Sequence, residues 1–120
     1  YACAGGKVLL SELPVRLVEQ IISSCEMVPL TSHTITNPEQ FWQALRYVAT
    51  RGYAFDDRES SENGSCIAVP VRDNEGTIIA SLSFSGFVGV QDTSELLEYL
   101  PALQEASKKI SQSLYRCWNW

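Results

Sequence analysis

Apolar positions along the chain recur with two periods. Phe41, Ala44, Leu45, Val48 and Ala49 stand at i, i+3, i+4, i+7 and i+8, which is one face of a helix. Asn37-Pro38 before them supplies an N-cap and a proline at the first helical position, and Gly52 a left-handed C-cap, so a helix is predicted from Asn37 to Gly52. Leu17, Val18, Ile21 and Ile22 form a second stripe that fades near Cys25, with Pro14 in the first turn. A short helix is predicted over 7–13, after a Gly5-Gly6 turn. The last stripe, Leu96, Leu100, Leu103, Ala106, Ile110 and Leu114, predicts a helix over about 94–115. Asp92 and Glu95 form a capping pair at its start. Pro101 lies inside it and implies a kink or a fresh start.

The other period is two. Residues 53–55, 66–71 and 77–85 alternate as strands do, and the last two are joined across Asp73-Asn74-Glu75-Gly76 as a hairpin. Residues 28–36 and 56–65 are polar and predict loops. Three helices, three strands and a final helix make an α+β domain: an antiparallel sheet flanked by helices. The abrupt opening at a glycine-rich turn leads us to expect further strands before Tyr1, so that 1–120 forms a single domain truncated on its N-terminal side.

Composition narrows the function. At 120 residues the chain holds one domain, and 45% apolar residues suit a globular core. The net charge of −5 and the nine scattered Lys and Arg offer no basic stripe for phosphate contacts. No apolar run approaches the roughly 18 residues of a membrane span, and there is no signal-peptide layout, which together point to the cytoplasm and no membrane partner. Cys3, Cys25, Cys66 and Cys117 show no C-x-x-C spacing and are expected as free thiols. With His33 the only histidine, no metal site and no cofactor are expected.

Candidate chemistry starts on the strand over 77–85. One face carries Ile78, Ala80, Leu82 and Phe84 and belongs to the core. The other carries Ile79, Ser81, Ser83 and Ser85, which either face water or line a cavity. The partner strand favours the cavity. With a four-residue loop Cys66 falls opposite Ser83, with a two-residue turn opposite Ser85. In either register Cys66 and Ala68 share the serines' face, and cysteine is among the most buried residue types. Gly5-Gly6 before a helix adds free backbone N–H groups that attract an anion. Asp56 and Asp57 by pattern alone suit a solvated turn or a loop-side acceptor. Glu59 and Glu62 are expected in solvent, and His33 as a surface or packing residue rather than a base. Trp42, Trp118 and Trp120 are candidates for a subunit contact.

These residues also carry a family likeness. RGYAFDD (51–57) followed by CIAVPVRD (66–73) and GTIIASLSFSG (76–86) resembles the C-terminal effector domain of the IclR family of bacterial transcription regulators. YACAGGKVLL and LTSHTITNPEQ resemble that family's segments upstream. The resemblance implies a GAF-like fold and a pocket for a small organic acid. By position the effector-binding residues would be Ala4, Gly5, Asp56, Cys66, Ser83 and Ser85, with none catalytic. An ionised Asp56 beside a bound carboxylate would repel it unless it accepts from a ligand hydroxyl or hydrate, so a hydroxy- or oxo-carboxylic acid is expected as effector. DNA binding would fall to a winged helix-turn-helix absent from this chain, in a homodimer or homotetramer. Three rivals stay open: a dimerisation module without ligand; an enzyme using Cys66 as nucleophile, for which His33 is the only histidine base; and, ranked last for want of a Cys-His pair, a GAF-type sensor of a nucleotide or chromophore.

Overall fold

A computed structural model describes residues 1–87 and 93–118. The most fully signalled helix forms as its sequence dictates. Helix Pro38–Arg51 is capped by Asn37, whose Oδ1 accepts from the N–H groups of Glu39 (2.8 Å) and Gln40 (3.4 Å). Gly52 closes it at φ 83°, its N–H bonded to Val48 O. We number it α3, after α1 (Ala4–Ser11) and α2 (Val15–Ser24).

α1 departs from expectation. It begins at Ala4, so Gly5 and Gly6 form its first turn rather than a turn before it. Cys3 is the N-cap, and its Sγ accepts from Gly6 N–H at 3.3 Å. Glycine is a poor helix former; what holds this turn is burial, with Ala4 and Val8 fully covered. Pro14 likewise stands one place outside α2, as its N-cap residue.

The sheet has the order β1-β2-β3, with β1 (Ala54–Asp57), β2 (Gly64–Arg72) and β3 (Ile78–Phe87) antiparallel. The hairpin closes through Asp73 N–H to Thr77 O and Gly76 N–H to Asp73 O, with Gly76 at φ 85° and Asp73 Oδ1 accepting from Glu75 and Thr77. Cys66 pairs with Ser85, the second of the two registers weighed above, and Ala68 pairs with Ser83. A register shift between Val71 and Arg72 has a consequence that alternation alone misses. Ile78 leaves the Leu82–Phe84 face and packs on the α1 side.

The two faces of the sheet are packed differently. On one, α1 and α3 bring Ala4, Val8 and Val48 against Ala54 and Ala68. On the other, Ile67 and Val69 meet Leu96 and Leu103, with Tyr53, Phe55, Leu82, Phe84 and Leu100 around them. Leu96 ends the short helix α4 (Thr93–Leu96), and a 3-10 turn (Leu97–Tyr99) leads into α5 (Leu100–Trp118). Pro101 is thus the second residue of a fresh helix, where its missing N–H costs nothing. Asp92, the expected capping partner of Glu95, lies outside the described residues, as does Trp120, and so does the side chain of Trp118. The α5 stripe loosens along its length: Leu103 is buried, Ile110 is exposed. A third cluster, Val18, Phe41 and Leu45, joins α2 to α3 and takes in part of Trp42, which is therefore half-buried within its own chain.

Candidate functional site

The register sets the candidate side chains in rows across one face of the sheet. Asp56, Cys66 and Ser85 make one row, Ala54, Ala68 and Ser83 the next, and Pro70 and Ser81 the third. α1 lies over the middle of this face, and small side chains let it come close. A Cβ on Gly5 would sit 2.9 Å from Ser81 Oγ, so with the Ser81 side chain as it stands the glycine lets α1 come this close to the sheet. The first-turn N–H groups of Ala4 and Gly5 precede the first intrahelical bond, Lys7 N–H to Cys3 O, and carry the positive end of the helix dipole. Sequence parity foresaw one covered face. The structure divides it: Ala54 and Ala68 are fully buried, Ser81 and Cys66 half-buried, Ser83 and Ser85 exposed on the edge strand.

Asp56 is buried at the mouth of the loop over 58–63. Its Oδ1 accepts from Glu59 N–H at 2.7 Å and its Oδ2 from Ser60 Oγ at 3.3 Å, so it shapes that loop. Arg58 turns the chain there at φ 56°. Two threonines brace the loop from outside. Thr31 Oγ1 donates to Arg58 O and Thr34 Oγ1 to Glu59 O, each at 2.6 Å.

Sequence reasoning placed Glu59 in solvent, and it is not there. Glu59 is 5% exposed and pairs with Lys7, itself 3% exposed, at 2.6 Å. Lys7 Nζ also donates to Phe55 O at 2.8 Å. Glu59 Oε1 is buried with no hydrogen-bond partner among the described residues. Burial pushes the Glu59 carboxyl above its ordinary range. The hydrogen bond and charge of Lys7 pull it back in part, and Asp56 adds to the upward push. A lysine three residues after Ala4 and an acid three after Asp56 look like ordinary surface charges; only contact across the fold reveals the pair.

The remaining candidates fall elsewhere. Glu62 and His33 are exposed. Cys3, Cys25 and Cys66 are free thiols, and Cys66 Sγ donates weakly to Ile67 O at 3.5 Å. Among the described residues no three metal-ligating side chains gather, and no helix is long and apolar enough to cross a membrane. Trp42 contributes to an open groove of about 740 Å³ between α1–α2 and α3, with Leu10, Leu13, Val15, Glu39 and Arg46 among its lining. That groove shares none of the six positions singled out from the sequence, Ala4, Gly5, Asp56, Cys66, Ser83 and Ser85.

Residues 1–112 match the family described as Bacterial transcriptional regulator IclR C-terminal. The HTH-type transcriptional regulator KdgR of Escherichia coli (strain K12) is 40% identical over 115 residues, which are 95% of this chain and 43% of that protein. The chain spans less than half the length of the curated relatives it matches. The crystal structure of the C-terminal domain of E. coli KdgR superposes with a TM-score of 0.87 at 38% identity, covering 96% of this chain and 70% of that one. A complex of a double mutant of the PobR inducer-binding domain from Acinetobacter with 3-hydroxybenzoic acid gives 0.88 at 29% identity, covering 92% and 65%.

Proposed function

The chain belongs to the IclR C-terminal family of bacterial transcriptional regulators, and from that premise we propose that it senses a small hydroxy- or oxo-carboxylic acid. The observation that carries this is the close seating of the α1 first turn on a sheet face of small residues. Gly5 approaches Ser81 on the sheet face that also bears Cys66, Ser83 and Ser85, which supports a ligand held between the α1 start and that face. A carboxylate suits the helix end, and hydroxyl and thiol groups suit the remaining oxygens of the ligand. Asp56 borders the site from the same row. Its two loop hydrogen bonds leave acceptor capacity, since a carboxylate offers about four lone-pair positions. A ligand hydroxyl is the donor it would take. The inducer-bound PobR domain, a structural neighbour, is complexed with a hydroxy-acid.

In this reading the chain is not an enzyme. Cys66 and the serines hold the ligand, and the relatives are regulators. DNA contact falls to a segment outside these residues, consistent with the net charge of −5, and the regulator works in the cytoplasm. Homodimers or homotetramers form through exposed apolar residues such as Val15, Leu17 and Ile21 of α2. Thermal-shift screening against hydroxy-, oxo- and sugar acids, with unsubstituted fatty acids as controls, tests the central claim. A true effector at 100 times its Kd adds about 2.7 kcal/mol of stability. A response to none of the acids, or to the fatty acids equally, removes the assignment.

A further inference from the structure

We propose that Lys7 and Glu59 are positioning residues of the effector site: their buried ion pair fixes the first turn of α1 against the strand end that carries Asp56. This rests on the site assignment above and extends it to two residues that touch no ligand.

The connections form a closed ring. Lys7 lies on α1, three residues after Ala4, so it is rigidly tied to the N–H groups offered at the helix start. Its Nζ donates to Phe55 O, the carbonyl immediately before Asp56, and to Glu59 Oε2. Glu59 N–H in turn donates to Asp56 Oδ1. One ammonium therefore grips the chain on both sides of Asp56, 48 and 52 residues away in sequence. The apolar contacts under α1, Ala4 and Val8 on Ala54 and Ala68, are between small smooth side chains. They bring the helix close, and the ammonium adds a polar tether at one defined place on the sheet.

Stability alone is a poor reason for this pair. Desolvating two charges costs about as much as their attraction returns, and apolar residues of similar volume often serve as well or better. Glu59 also leaves Oε1 buried without a partner in the described structure. What the pair supplies and an apolar pair cannot is direction. Lys7 Nζ, tethered at 2.8 Å to Phe55 O and at 2.6 Å to Glu59 Oε2, fixes the separation of α1 from the strand end, and a site needs its groups held within about 0.5 Å.

The test uses Lys7→Met combined with Glu59→Met, which removes both charges together and leaves neither stranded. Lys7→Arg alone retains the charge pair. Both are compared with the parent protein by denaturant midpoint and by amide NMR titration with lactate, pyruvate, gluconate and 3-hydroxybenzoate. If the parent binds with shifts at Ala4, Gly5 and Asp56, the proposal expects the double variant to lose about tenfold or more in affinity at unchanged stability. Lys7→Arg should recover most of it. If the double variant folds and binds as the parent does, the pair is structural only and the proposal is overturned while the site stands. If the double variant fails to fold, Lys7→Arg and Glu59→Gln decide: parent-like affinity in Glu59→Gln overturns the proposal, and loss in Glu59→Gln with recovery in Lys7→Arg supports it. If the parent shows no shifts at those amides with any of the four acids, the site assignment fails and the proposal falls with it.

Discussion

One sheet presents two faces built on opposite principles. Ile67 and Ala68 are neighbours in β2, and both are fully buried. Ile67 faces α5 among Val69, Leu82, Phe84, Leu96 and Leu103. Phe84 also stacks on Tyr99 at 4.7 Å between ring centroids. Ala68 faces α1 among Ala4, Val8 and Ala54. The large side chains hold a helix away from the sheet and gain their stability from buried area. The small ones let backbone approach sheet, as Gly5 does at Ser81, and gain less from it. The first face is organised for stability. The second gives up apolar area, carries hydroxyls, a thiol and a carboxylate in its rows, and has Gly5 of α1 against Ser81.

If that contrast is right, the largest loss comes from stranding a charge beneath the small face. Lys7→Met leaves Glu59 buried and unpaired, and about 3–5 kcal/mol of stability should go at neutral pH. The pH dependence has a definite sign. The folded Glu59 holds its proton more tightly than in the unfolded chain, whose ordinary value is 4.5. Its contribution is therefore complete below that value and is lost as pH rises through the raised folded value. Without Lys7 the folded value climbs further, so Lys7→Met should recover stability relative to the parent as pH falls, and Glu59→Gln should flatten the decline. Urea midpoints across pH measure this. A Lys7→Met protein as stable as the parent at neutral pH would show the pair idle.

Next comes the large face. Ile67→Ala should cost about 2–5 kcal/mol by opening a cavity. At the adjacent position the opposite change is the harmful one. Ala68→Val should cost about 1–3 kcal/mol by overpacking under α1. Equal tolerance of both substitutions would erase the distinction between the faces.

Gly5 and Ser81 sharpen it. Gly5→Ala places a Cβ against Ser81 Oγ, and a cost of about 1–3 kcal/mol is expected. With Ser81→Ala in the background that atom is gone. The same Gly5→Ala should then stabilise by roughly 0.5–1 kcal/mol, because alanine is the better helix former. A cycle of thermal melts in which the two changes simply add would mean that Gly5 and Ser81 are not in contact. The smallest effect belongs to Ser83→Ala at the exposed rim. It should leave stability within about 0.5 kcal/mol and cost about 0.5–1.5 kcal/mol of effector binding, read by calorimetry.

Some of this was set by local chemistry. Asn37-Pro38 and Gly52 bound α3 whatever surrounds it, because cap and breaker act within a turn. Alternation placed Cys66, Ser83 and Ser85 on one face because a strand's side chains have a period of two. The α+β class followed from the order of these segments. Other features belong to the tertiary structure. The glycines looked like a turn until the sheet gave α1 a reason to start at Ala4 and press Gly5 onto Ser81. Ile78 changed sides because a register shift, invisible in the pattern, reset the alternation. Trp42, a candidate for a subunit contact, is half-buried against its own chain, a contact the helix pattern did not show. Glu59 was assigned to water and became half of a buried ion pair with a residue 52 positions away. Sequence specifies what each segment prefers within its own few residues. Which charges meet, and which small residues are crossed by a backbone, depends on how the segments are stacked, and that is decided only when the whole core closes.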